Sequence, residues 1–420
     1  MKIMKRALAA VIALALMMTA VGCSTPKDAI KVGNIEISTG EYLAYLYISA
    51  VTSGADTSNL KEDAAWDVTV PYENNSVFEK DEETSEASDA AATTDAGLKL
   101  EDAIIQSAKD QIIYCATLQT IADENGITVS EEKMKDLDDD VNSLLSYFGV
   151  TYDDLLSMGI SEESFKKAFV RISYLQDDVF MGLYGTDGKT PTKAADIDKY
   201  FADNYVAYKI ISKDLVDESG NPLSDEDIET MKAELEAYRN VFYATGDFDK
   251  AVEANKAANT ANENNEVLGL EGLDKETYNV NYDGEPVENV TANNASDILV
   301  KDTAEDAEND LLTKVRGVDA GTVDIVEYTE DSAKKMALVY RYDINKVEVA
   351  DSNLTVTADA AETVEPTYKS LRESAEDSII TALHEDDFNK LAQKKLDELT
   401  KSASFNERTV KMCSPKKFFK

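Results

Sequence analysis

The feature that most constrains this fold is an apolar helical stripe with no partner beside it in the sequence. After Pro366, residues Leu371, Ala375, Ile379, Leu383, Leu391 and Leu396 recur at helical spacing. A helix with one apolar face must bury that face against another element. Suitable partners lie far upstream. Leu100, Ile104, Ala108, Ile112 and Cys115 form one stripe, ending at the turn Asn125-Gly126. Ser130 opens a second helix with Met134, Leu137, Val141, Leu144 and Phe148. A short third helix runs from Tyr152 to Met158. Ser161 opens a fourth, with Phe165, Ala168, Ile172, Val179 and Leu183 inward. The last helix is therefore expected to pack back onto residues 98–184, which makes the region between them an insertion.

That region has a different pattern. Val206 to Ile211 reads as a strand, and Ser224-Asp225-Glu226-Asp227 caps a helix carrying Ile228, Met231, Leu235, Tyr238 and Phe242. Gly246 stops this helix, Asp247 to Val252 begins another, and 253–266 reads as loop or frayed helix. Ala320 to Val323, Ile325 to Tyr328 and Met336 to Tyr342 are strand-like. The expected fold is mainly α with an inserted α+β module. Residues 23–200 hold the N-terminal helical part, 201–346 the module, and 347–420 the closing helix and tail. Lys31 to Ile37 reads as a strand pair around Gly33-Asn34, and Ser38-Thr39-Gly40-Glu41 as a helix start. Residues 79–96, acidic and nearly free of large apolar groups, read as a loop or disordered insertion.

The N-terminus sets the expected compartment. Lys2, Lys5 and Arg6 precede an apolar run from Ala7 to Ala20, then Val21-Gly22-Cys23-Ser24. This is the pattern of a secretory signal over residues 1–22 with lipid attachment at Cys23, on the extracytoplasmic face of the cell membrane. Net charge is -40, and removing the leader leaves 39 cations against 82 acids. Such a field repels nucleic acid, which is excluded as a partner, and attracts cationic chains. The basic, aromatic end Lys416-Lys417-Phe418-Phe419-Lys420 reads as a solvated terminus.

Several short segments, taken in order, resemble the PrsA/SurA family of extracytoplasmic foldases. These are Val32 to Tyr42, Asn125-Gly126-Ile127-Thr128-Val129-Ser130, Gly246-Asp247-Phe248-Asp249-Lys250-Ala251, and Asp319-Ala320-Gly321-Thr322-Val323. The resemblance implies a helical chaperone domain split around a parvulin-type peptidyl-prolyl isomerase module. It also implies unfolded or nascent secreted proteins as partners, and no cofactor. Parvulins carry a histidine in the first strand of the module and another in the last, both around the peptidyl-prolyl pocket, so the resemblance implies that the residues at these positions line one pocket. Lys209 stands at the first position and Ala337 near the second, and the chain's single histidine, His384, lies outside the module. Proline isomerisation needs a pocket that favours the twisted amide rather than acid–base chemistry. The expectation is therefore a foldase with weak or absent isomerase activity. An active isomerase is the alternative, and a surface-adhesion or solute-binding lipoprotein the second alternative.

Other chemistry is thinly represented. One histidine leaves nothing for a Ser-His-Asp triad or a transition-metal cluster. Asn279 to Gly284 matches the first half of a calcium loop, but the twelfth position is Val290, so a turn is the expectation and no metal. Cys115 and Cys413 form no framework, though a bridge between them is compatible with export. Tyrosine and phenylalanine number 20 and 12 against one tryptophan. Tyr42, Tyr45 and Tyr47 lie too close together to face one core, which marks them as candidates for client binding.

Overall fold

The computed structural model describes residues 29–53, 66–72, 74, 76–78, 97–217, 219–263, 299–302, 309–330, 332–350 and 368–418. The leader with Cys23, the acidic stretch 79–96 and the segment Asn279 to Val290 lie outside the described residues. The chain divides into two compact units. One comprises Met1–Pro191 with His384–Lys420, the other Thr192–Leu383. The second is wider on both sides than the 201–346 read from the pattern change.

The first unit begins with an antiparallel pair, β1 (Ile30–Val32) and β2 (Ile35–Ile37). Its turn needs Gly33, which has φ +58°, and a Cβ there would lie 2.8 Å from Leu399 Cδ2. Ser38 then caps α1 (Thr39–Thr52) in a reciprocal box with Glu41. A short pair follows, β3 (Thr69–Val70) with β4 (Leu98–Lys99). Helix α2 (Leu100–Asn125) ends at the left-handed Gly126. Ser130 caps α3 (Glu131–Phe148), and Thr151 caps α4 (Tyr152–Ser157). The single helix expected after Ser161 is in fact two, α5 (Glu162–Ser173) and α6 (Leu175–Tyr184). Tyr174 breaks it with φ -108°. Its buried ring meets Phe169 edge-on at 5.4 Å, and its hydroxyl donates to Asp140.

The second unit opens with α7 (Ala194–Asn204) and the long β5 (Tyr205–Asp214). Ser224 caps α8 (Asp225–Thr245), the left-handed Gly246 closes it, and α9 (Phe248–Glu263) follows. Thus α9 extends through most of the stretch read as loop or frayed helix. Next come β6 (Leu299–Asp302), which the sequence pattern did not suggest, α10 (Asp310–Gly317), β7 (Thr322–Glu330) and β8 (Ala333–Arg341). These strands form an antiparallel sheet in the order β6-β5-β8-β7. A small pair, β9 (Glu348–Ala350) with β10 (Tyr368–Ser370), leads into α11 (Leu371–Ser402). The chain returns to the first unit within α11, between Leu383 and His384.

In the first unit, the buried line of α11 is Phe388, Ala392, Leu396 and Leu399. Leu391, expected inward, is 41% exposed because it falls beside that line of i, i+4 neighbours. After α11, β11 (Ser404–Phe405) joins β1 as third strand, pairing Ile30 with Phe405. Helix α12 (Glu407–Met412) and the 3-10 turn Pro415–Lys417 follow. The tail is docked rather than solvated. Phe418 is buried edge-on against Tyr47 at 6.0 Å, and Lys416 pairs with Glu101 at 2.8 Å.

Candidate functional site

The alternation of β5 determines what Lys209 can do. Val206, Tyr208 and Ile210 share one face with Val326, Tyr328, Ala337 and Val339, packed on Leu311, Leu312 and Val315 of α10. Ser212 and Tyr328 join hydroxyls at 2.7 Å on the same side. Lys209 and Lys213 project from the opposite face, toward α8 and α9.

The register places Lys209 opposite Tyr340, and Ala337 opposite Ser212. Directly opposed residues project to the same face of the sheet. Ala337 lies three residues from Tyr340 and therefore faces the other way. The expectation that Lys209 and Ala337 line one pocket is corrected by this register. The neighbours of Lys209 on β8 are Tyr340 and, one step along, Leu338.

Lys209 is 5% exposed, and its ammonium donates to Asp249, in the first turn of α9. Asp249 is also held from behind, its own N–H donating to Asp247 Oδ1 at 2.9 Å. A buried cation needs such a partner because desolvation alone costs several kcal/mol. On the same face Lys213 meets Glu234 at 3.1 Å, and Tyr238 donates to the same carboxylate oxygen at 2.6 Å. The remaining space is aromatic. Phe248 stacks on Tyr340 at 5.8 Å, Phe242 lies 5.1 Å from that ring, and Tyr342 meets it at 4.5 Å. This face is filled by side chains and salt bridges. Asp249 belongs to the Gly246-Asp247-Phe248-Asp249 segment of the sequence, and only the fold shows that it reaches Lys209.

The tyrosine candidates are also corrected. Tyr42, Tyr45 and Tyr47 are all buried. They can share an interior because α1 is wrapped on several sides, by α2, α5 and the C-terminal turn. Gly40 permits the close approach to α5, where a Cβ would fall 2.5 Å from Ser164 Oγ. Tyr47 meets Phe148 and Phe418, while Tyr45 lies against Cys115. Burial pushes the Tyr47 hydroxyl up to about 12 and the Cys115 thiol up to about 12, so both stay protonated and unreactive near neutrality. Cys115 and Cys413 are both free and buried, with no bridge between them.

Beside these tyrosines sits a pair that the sequence reading missed. The Glu41 carboxylate accepts from Arg171 at 2.7 Å and from Ser38 N–H at 3.0 Å, and it is only 7% exposed. The acid of the Ser38 capping box was legible, but its guanidinium partner, 130 residues away, was not. His384 is half-buried and stacks on Tyr184 with ring centroids 4.6 Å apart. Among the described residues no group of His, Cys, Asp and Glu is arranged to hold a metal ion, and no helix is long and apolar enough to cross a membrane.

Compared with known proteins, the chain matches no family model, and no curated protein matches it. Among the solved structures similar to it are two with low TM-scores. A foldase protein PrsA from Streptococcus pneumoniae covers 75% of this chain and 92% of its own, at 12% identity and TM-score 0.27. A foldase protein (PrsA) from Lactococcus lactis covers 93% of this chain and all of its own, at 12% identity and TM-score 0.29.

Proposed function

We propose that this protein is a membrane-tethered extracytoplasmic chaperone for unfolded secreted proteins, working by binding and not by proline isomerisation. One observation carries this reading. An α+β unit with the sheet order β6-β5-β8-β7 interrupts a helical unit built from both chain ends, and the sheet face at Lys209 is closed by an ion pair and stacked rings. A filled face offers a peptidyl-proline no cavity in which its amide is favoured in the twisted state. The acidic charge of the chain supports encounter with cationic unfolded segments. Two similar α/β lobes, as a solute-binding protein would need, are not what the two units provide.

The deciding experiment uses the protein from Cys23 onward in two assays. Aggregation of a denatured secreted protein should be suppressed, while isomerisation of a proline peptide should run at its uncatalysed rate. Strong acceleration lost on Lys209→Ala would make the protein an enzyme and overturn this reading. The tether has its own test. Cys23→Ser in the producing cell should release the protein into the medium, and a variant that stayed with the membrane fraction, unchanged in processing, would refute lipid attachment.

A further inference from the structure

The first unit holds an aromatic seat occupied by a segment that is attached mainly through side chains. Phe78 lies flat on Tyr114 of α2, with ring centroids 4.3 Å apart and planes 14° off parallel. The edge of Phe388 on α11 closes the seat at 5.9 Å, and Phe180 of α6 backs Phe388 at 5.2 Å. The backbone N–H of Phe78 donates to Gln393 Oε1 at 3.0 Å, as an extended peptide bonds to a receptor side chain. Tyr114 is fixed from the far side by its hydroxyl on Gln176 at 2.7 Å.

What distinguishes Phe78 from an ordinary core residue is the chain that carries it. Among the described residues of 71–78, none lies in a helix or strand, and none makes a backbone–backbone hydrogen bond to the rest of the unit. The other anchor is also a side chain, the Tyr72 hydroxyl donating to Asp110. An irregular segment that inserts one aromatic ring and one backbone N–H into a site built by three helices is bound as a ligand in cis would be.

We propose that this seat binds a phenylalanine of an extended, cationic client segment, and that Phe78 occupies it as an internal competitor. The inference rests on the chaperone reading above and specifies the client chemistry and its control. Displacement exchanges one buried ring for another, so the protein's own segment lowers client affinity by the fraction of time it holds the seat. Clients rich in exposed aromatic side chains compete best, and their release is assisted when Phe78 returns.

The test is fluorescence anisotropy of the whole protein from Cys23 with a short labelled Lys/Gly/Ser peptide carrying one central Phe, and with the same peptide carrying Ala. Phe78→Ala should bind the Phe peptide about tenfold more tightly than wild type does, with no gain for the Ala peptide. Tyr72→Phe keeps the seat filled but removes the second anchor, and should give a smaller gain of roughly threefold. Emission of the single tryptophan, buried Trp66, reports that each variant is folded. If Phe78→Ala does not fold, Tyr72→Phe decides. Unchanged or weaker binding, or an equal gain for both peptides, would show that Phe78 is plain core. Aggregation suppression by the wild type separates the two claims. If it persists while no variant gains affinity, the seat proposal alone fails; if it is absent, the chaperone reading fails.

Discussion

Each unit of this chain buries a charge, and the two do so differently. In the helical unit the Glu41 carboxylate accepts from the Ser38 N–H and from Arg171, leaving the acid 7% and the guanidinium 17% exposed. In the α+β unit Lys209 is equally deep at 5%, but its partner Asp249 stays 33% exposed. The first pair ties two helices together and leaves the carboxylate almost no route to water. The second leaves its acid partly solvated, so loss of the lysine strands nothing. Burial of a charge alone therefore does not mark a site; the solvation left to its partner determines what its removal does.

The largest expected consequence is at Arg171. Arg171→Met leaves the Glu41 carboxylate buried without its counter-charge, at a cost of about 3–5 kcal/mol. Urea melts followed by Trp66 fluorescence read this directly, because the chain's one tryptophan lies in the helical unit. A loss within about 0.5 kcal/mol would dissolve the distinction between the two pairs.

An intermediate effect is expected in alkali. Cys115 has its folded pKa raised by burial from 9.0 to about 12, so its contribution is complete below pH 9.0 and is lost as pH rises toward the folded value. Raising the pH from about 8 to about 10 should therefore cost the helical unit on the order of 1 kcal/mol from this thiol alone. Tyr45 and Tyr47, raised for the same reason, add to the loss at higher pH. Cys115→Ala should flatten the alkaline slope seen by Trp66. An unaltered slope would assign it elsewhere.

The smallest effect belongs to Lys209. Lys209→Met replaces a buried ion pair by an apolar chain while Asp249 keeps part of its hydration, and stability should change by less than about 1 kcal/mol in either direction. Far-UV circular dichroism melts measure it. A loss as large as that at Arg171 would show the two pairs to be energetically alike.

Much of the fold was legible because it is locally encoded. Ser130, Ser161 and Ser224 cap helices, and Gly126 and Gly246 end them in the left-handed conformation, as their residue types require. Mainly helical structure with a small antiparallel sheet follows from the change of period along the chain. The features that were not legible depend on distant residues. Tyr174 breaks a helix because its hydroxyl reaches Asp140 on another helix. Tyr42, Tyr45 and Tyr47 are all interior because neighbours from both ends of the chain surround α1. The period of β8 was visible, but its register with β5 was not, and that register moves Ala337 to the face opposite Lys209.

The pairing of β1 with β11 also has a consequence in time. Ile30 meets Phe405, so β1 finds its outer neighbour only after the whole second unit and α11 have been made. Closing so long a loop is slow, and contacts of this separation form late in folding. The helical unit begins first and finishes last, while every strand and helix of the α+β unit's sheet lies within one continuous stretch. A chain emerging N-terminus first would complete its middle before its beginning, with α1 and its three tyrosines waiting for the last residues to cover them.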